Sequence, residues 1–508
     1  MFPMESVLMH EALQRAAHRF GDRDALRSGD ERWSFRELEA LSNAFARHLA
    51  ARGVGSGERV AVMMANRMEF IVVVNAVSKL GGSVVLISPA WKRAEVGHAF
   101  ALTGPVHAVT DADASPLITE FLGEGAVTDL DDPGADPFAF SRAPVPDAEV
   151  RDDGESVLVF SSGTTGMPKA VRHTHASMGL ATEHWVTVLG LGPDDRFQVA
   201  TPPSHILGLL NLLAAVSAGS TVRLHRRFDL DEVLARIADE RMTLEMAVAP
   251  IALALANHPR LEDHDLSSLR YIMWGATPVS ESVAELVTKR TGVRWLPAYG
   301  ASEVPVIAAN PIGRPDQWRL DSAGLPPAGI ELRIVDLETG AVLPAAGTGE
   351  IQVKRGSEMA GYLPDEASAD AFADGWYRTG DVGWLEPEGW VHLTDRSKEM
   401  IKVSGFQVAP AEVEAVLLRH PAVLDCAVFG VADDRAGEVP AAAVALDPDL
   451  PLAEGELQAL VADSLATYKR LRYLVVVEEI PRLPSGKVLR RTLRDEWSAP
   501  LRAGRGES

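Results

Sequence analysis

Between Arg59 and Ile87 the chain passes from a short apolar run (Arg59 to Met63), through a stretch with helical apolar spacing (Phe70 to Leu80), to a second apolar run (Ser83 to Ile87). Strands that alternate with helices pair in parallel, because two strands leading the same way need a long crossover between them. The same texture precedes and follows this segment. Glu11 to Arg19 and Phe35 to Arg52 have helical spacing, and Ser34 caps the second with Glu37 three residues on. Strand-like and helix-like runs alternate again at Thr221 to Leu224, Leu230 to Glu240, Leu244 to Ala249 and Tyr271 to Trp274. The expected fold class is α/β. From Ile330 to Val353 short alternating strands with Gly and Pro turns predict a smaller β subdomain, and no internal repeat is visible.

Length alone, at about 150 residues per domain, suggests roughly three domains. The pattern redraws this. The strand around Gly389 to Asp395 ends one unit; a helix from Ala411 to Leu418, strands at Val423 to Val428 and Val439 to Leu446, and a helix from Ala453 to Ala466 make another. The expectation is a large N-terminal domain (1–395) of layered α/β subdomains plus the β subdomain, followed by a small α+β domain (396–508). Asp395 to Lys398 is read as the linker.

Composition narrows the class of function. The net charge of −22 speaks against a general nucleic-acid-coating role. A single cysteine, Cys426, excludes an intrachain disulfide and a Cys-rich zinc site and suits a reducing compartment. The chain shows no basic-then-apolar leader, and apolar runs such as Phe70 to Val74 are too short to span a bilayer, so a soluble, cytoplasmic protein is expected. The acidity is uneven: from Lys469 to Ser508, 10 basic residues stand against 5 acidic ones. Such a stretch is either a solvated helix face or a local attractor for a polyanion.

Val157 to Phe160 is a buried-strand pattern, followed by Ser161-Ser-Gly-Thr-Thr-Gly-Met-Pro-Lys169. Two glycines allow close backbone approach, the hydroxyls offer donors and Lys169 offers a point charge, which together suit a polyphosphate. It is not a Walker A loop, since no Ser or Thr follows the lysine. This segment resembles the phosphate-binding signature of the ANL adenylate-forming superfamily. Further signatures follow in the family order: Tyr299-Gly-Ala-Ser-Glu303, Tyr377-Arg-Thr-Gly-Asp381, Asp395-Arg-Ser-Lys-Glu399 through Gly405, and Pro484-Ser-Gly-Lys487. Within the superfamily the chain looks closest to 4-coumarate:CoA ligase-like and acyl-CoA synthetases.

The resemblance implies a mobile C-terminal domain and two half-reactions. A carboxylate attacks the α-phosphorus of ATP to give acyl-AMP and pyrophosphate; a thiol, usually that of CoA, then attacks the acyl carbon. It implies that Ser161, Thr164, Thr165 and Lys169 hold the β- and γ-phosphates, with Ser162, Gly163 and Gly166 in the same nucleotide-binding loop. Gly275, Ala276, Tyr299 and Gly300 would line the nucleotide site, Ser302 the α-phosphate, and Glu303 would bind Mg2+. Asp381 and Arg396 would hold the ribose. Lys487 would sit between carboxylate and α-phosphate, Lys398 would be the hinge, Lys402 and Gln407 would contact the adenylate, and Gly405 would line the pantetheine tunnel.

His205 with Met273, Trp274, Ala298, Pro305 and Val306 would form an apolar acyl pocket suited to an aryl or short-to-medium acyl group. Relatives commonly carry Ser near Trp274 and Gly at Ala170; the Trp274 bulk either shortens the pocket or points into the core. His173 and His175 read as structural, because nothing nearby completes a metal shell. The partners implied are ATP, CoA and a small carboxylate, with a carrier protein possible and a monomer or homodimer expected. The alternative is an enzyme that diverts the activated intermediate by carrier loading, amide formation or nitrite activation. A non-catalytic nucleotide-binding scaffold is the reading of a different class; Lys169, Glu303, Asp381 and Lys487 together argue against it.

Overall fold

Every residue from Phe70 to Lys79 is buried, so the helix Glu69–Lys79 runs between layers and not across a surface. The strands beside it are buried on both faces, and their side chains alternate between two cores. Val60, Val62, Val84 and Leu86 join the main core with that helix, while Ala61, Met63, Val85 and Ile87 pack with Val96 and Phe100 on the other side. The protein is seen in a computed structural model that describes residues 8–145, 150–161, 168–277, 279–396, 399–403, 406–433, 435–483 and 486–503.

The largest sheet has seven strands in the order Gly361–Leu363, Lys169–Thr174, Glu155–Ser161, Ser83–Leu86, Arg59–Met63, His107–Thr110 and Val127–Asp129. Its central pairs are parallel, and Glu155–Ser161 returns antiparallel through Lys169–Thr174. A second sheet pairs Leu244–Ala247, Tyr271–Trp274 and Trp295–Tyr299 in parallel, with Ala308–Ala309 antiparallel at its edge. A third joins Asp24–Ser28 and Glu31–Ser34 to Thr221–Leu224 and Arg196–Val199. A fourth, antiparallel sheet contains Glu331–Val335, Gly349–Lys354 and Trp376–Leu385. This is a large α/β domain followed by a small one.

In the small domain, helices Pro410–Leu417 and Glu456–Ser464 cover one face of a sheet built on the long hairpin Val423–Asp433 and Gly437–Leu446. Helix Arg490–Ala503 covers the other face through Leu493. Among the described residues, no helix is long and apolar enough to cross a membrane.

Two sequence expectations are corrected here. Asp395 and Arg396 are not linker: they belong to strand Val391–Arg396, where Asp395 pairs with Val382 and Arg396 with Asp381. The Asp395 carboxylate also accepts the Ala411 N–H at 3.0 Å, tying the end of that strand to the next helix. The strand expected to reach Ala249 stops at Ala247, because Pro250 fits the first turn of a helix, Ala249–Asn257.

Candidate active site

Ser161, at the carboxyl end of a buried strand, and Lys169, at the start of its antiparallel neighbour, are direct cross-strand partners. Ser162, Gly163, Thr164, Thr165 and Gly166 lie outside the described residues. Ala170 turns its methyl into the interior. It is fully buried with Leu158 and Phe160, on the core face of the hairpin.

Strand Gly361–Leu363 pairs with this hairpin, setting Tyr362 opposite Val171. The Tyr362 hydroxyl donates to Glu303 Oε1 at 2.8 Å, and Lys169 Nζ lies 5.2 Å from the centre of the Tyr362 ring. A cation over a phenol ring is held by the ring quadrupole. Tyr377 hydrogen-bonds Tyr362, and its own pKa is raised by burial and by the nearby Glu303 carboxylate. Tyr299 donates to Asp381 Oδ2 at 2.6 Å, with both side chains buried. Lys169, Glu303, Tyr299 and Asp381 therefore meet where three sheets converge, at the carboxyl ends of parallel strands, the usual ligand edge of such sheets.

The turn that carries Ser302 and Glu303 is fixed from several sides. A Cβ on Gly300 would stand 2.1 Å from the Pro305 carbonyl oxygen, so only glycine fits. Ala301 N–H to Val304 O (2.9 Å) and Ile307 N–H to Tyr299 O (2.8 Å) close it. His173, not assigned to the site from sequence, donates from Nε2 to the Ser302 carbonyl at 2.7 Å, while its Nδ1 contacts Ser177 Oγ at 3.1 Å. Burial lowers its pKa to about 4, which keeps the imidazole neutral. Ala276, next to Gly275 at the end of strand Tyr271–Trp274, has φ +62, a strained value for a residue with a Cβ and a common mark of a functional edge.

The strand Tyr271–Trp274 separates the proposed pocket residues. Met273 shares the main core with Tyr299, Val304 and Val306. Trp274 faces the other way, its ring 5.0 Å from that of Trp295 and its Nε1 donating to Thr277 at 3.1 Å. Strand alternation thus removes Trp274 from the pocket lining. Pro305 and Val306 are buried, and Ala298 is half-buried opposite Ala309. His205 caps helix Ile206–Ala218; it is half-buried, and desolvation lowers its pKa.

Lys487 belongs to the small domain yet is delivered to the large one. Gly486 has φ +82, and a Cβ there would come within 2.9 Å of Pro250 Cδ and 3.3 Å of Val248 Cγ2. The loop is tied from behind: Arg482 donates to the Gly486 carbonyl at 2.8 Å while its guanidinium forks onto Asp425 at 2.7 and 3.1 Å. Lys402 is exposed on strand Ile401–Val403, in register with Gln407. Lys398 and Gly405 lie outside the described residues. Much of the basic C-terminal stretch is neutralised locally: Lys469 pairs with Glu412, Arg482 with Asp425, and Arg490 with Glu399 and Glu414. Arg470 and Arg472 are exposed.

Residues 13–363 match the family described as AMP-binding enzyme, and residues 412–487 match the AMP-binding enzyme C-terminal domain. The chain is 33% identical over 489 residues to 4-coumarate–CoA ligase 3 of Oryza sativa subsp. japonica, covering 93% of this chain and 88% of that protein. Among solved structures it is similar to the anthranilate CoA ligase AuaEII in complex with anthranoyl-AMP (TM-score 0.90, 26% identity, 98% of each chain). It is also similar to the amide bond synthetase McbA of Marinactinospora thermotolerans (TM-score 0.87, 31% identity, 96% of this chain and 100% of that one). The full-length matches and the ordered motifs agree: the chain belongs to the ANL superfamily of adenylate-forming, AMP-binding enzymes.

Proposed function

We propose that this enzyme is an AMP-forming acid–thiol ligase that activates an aryl or short-to-medium acyl carboxylate as its acyl-AMP and passes the acyl group to CoA. The observation that carries the reading is the linked set of Lys169, Tyr362, Glu303, Tyr299 and Asp381 at one sheet edge, with the Lys487 loop seated against Val248 and Pro250.

Adenylation gathers negative charge on the phosphates, so fixed cations and oriented donors do most of the catalysis. Lys169 meets the β- and γ-phosphates together with the hairpin hydroxyls. Glu303 suits a magnesium ion, which is held through one or two carboxylates plus substrate phosphates. When bound, that ion neutralises phosphate charge. Asp381 accepts from the ribose hydroxyls, Arg396 supports it from the paired strand, and the Tyr299 ring offers a flat face to adenine. Lys487 steadies the carboxylate against the α-phosphate. The carboxylate oxygen forms a bond to the α-phosphorus as the bond to pyrophosphate breaks.

In the second half-reaction the CoA sulfur bonds to the acyl carbon and AMP leaves. Lys402, Gln407 and Gly405 serve this step after the small domain turns about Lys398. Met273, Ala298, Pro305 and Val306 line the acyl group, with the neutral His205 near its carboxylate.

The likeness to an amide bond synthetase supports a second reading, in which an amine takes the place of the thiol. Pyrophosphate release over a panel of aryl and short-chain carboxylates, followed by product mass with CoA and with amines, tests both. A CoA thioester as main product is expected; amide formation with CoA ignored would overturn the thiol assignment, and no carboxylate-dependent pyrophosphate would overturn both.

A further inference from the structure

Away from the strand-end site, two histidines and a carboxylate meet at the far end of helix Ala249–Asn257. His258 caps that helix, Asp231 lies in the first turn of helix Leu230–Glu240, and His264 ends the short turn Leu261–Asp263. The ligand atoms of the three lie within 4.8 Å of one another, with His258 Nε2 already 3.0 Å from Asp231 Oδ1. The two imidazoles meet edge to face, ring centres 5.5 Å apart.

The backbone beneath them is braced. Arg290 donates to the carbonyls of Ala256 and His258, each at 2.7 Å, and forks onto Glu262 at 2.6 Å. The loop is therefore shaped before any ion arrives, which lowers the ordering cost of binding.

The geometry points to a divalent transition-metal site formed by Asp231, His258 and His264, with zinc as the best-matched ion. Two imidazoles and one carboxylate are a common zinc donor set. Tetrahedral bonds of about 2.0–2.2 Å place ligand atoms roughly 3.4 Å apart, so side-chain rotations that move ligand atoms by at most about 1.4 Å close a set now within 4.8 Å. Asp231 is exposed, which makes that rotation cheap and leaves one position for water. Binding through His258 Nε2 moves its proton to Nδ1 and gives up the long 3.3 Å contact from the Arg260 N–H. Arg260 also places a positive charge near Asp231, which limits affinity.

An ion here would join two helices. One of them, Ala249–Asn257, carries in its first turn, at the opposite end from His258, the Pro250 that supports the Lys487 loop. The site is a staple for that helix pair, separate from the adenylating chemistry.

Zn2+ binding to the full chain without nucleotide, measured by competition with a chromogenic chelator, tests this. One tight ion per chain is expected, with Zn2+ raising the thermal midpoint. His264→Ala weakens binding at least about tenfold, as loss of a ligand does. Asp231→Asn does the same while keeping a side chain that still accepts from His258, so its fold is secure. Pyrophosphate release at saturating Mg2+ stays at wild-type level in both variants. Equal zinc affinity and stoichiometry in wild type and both variants, or no zinc held by wild type, would overturn the assignment.

Discussion

A phenol has one proton to donate, and Tyr362 gives it to Glu303 while its ring lies under the Lys169 ammonium. One residue thus positions both the proposed metal ligand and the phosphate lysine. Tyr362→Phe keeps the ring and removes the hydroxyl that donates to Glu303 and meets Tyr377. The expected stability loss is about 2 kcal/mol, the range for a hydrogen bond to a charged group. The larger effect falls on the metal: pyrophosphate release titrated against Mg2+ should require about tenfold more Mg2+, the usual result of removing a hydrogen bond to a ligating carboxylate. An unchanged Mg2+ requirement would show that Tyr362 is structural only. The motif residues themselves were legible, because each stands in a recognisable short pattern. Tyr362 and His173 were not, since their partners Glu303 and Ser302 are 59 and 129 positions away. Trp274 was ambiguous for a related reason: composition shows its bulk, and only strand phase decides its face.

At the scale of elements, strand Leu244–Ala247 is buried throughout and yet contains Glu245. Its carboxyl accepts from Gln198 Nε2 at 2.9 Å, and Gln198 in turn contacts His225 at 2.5 Å. This polar link joins the second sheet to the third. Burial raises the Glu245 pKa to about 8 from an ordinary 4.5. The folded state therefore holds a proton that the unfolded chain releases above pH 4.5, and stability from this group is lost as pH rises from there to about 8. Glu245→Gln is uncharged at every pH. Its thermal midpoint should gain on wild type as pH rises from 5 to 8.5, and a pH-independent difference would refute this. The histidines act in the opposite sense. His48, His107, His173 and His175 are lowered to about 4 by burial, so stability drains as pH falls from about 6.5 towards 4. The elements themselves were readable from apolar periodicity. Their ends were less so, as the helix starting at Ala249 shows.

At the scale of the whole molecule, the two-part architecture follows from the order of the motifs, but the contact between the parts does not. The approach of Gly486 to Val248 and Pro250, and the Arg482–Asp425 fork behind it, join positions more than 200 and more than 50 residues apart and leave no local pattern. They seat the Lys487 loop on the large domain while Lys402 faces solvent, an arrangement suited to adenylation. The proposed thioester step at the same centre would then need the small domain to turn, as one surface cannot offer both lysines to one acyl carbon. On this reading Lys487 serves the first half-reaction alone. This is tested by comparing Lys487→Ala with wild type in carboxylate-dependent pyrophosphate–ATP exchange and in conversion of supplied acyl-AMP and CoA to thioester. The expected exchange rate is lower by at least about 10²-fold, the scale for losing one preorganised charge stabiliser, with thioester formation close to wild type. Equal losses in the two reactions would contradict it.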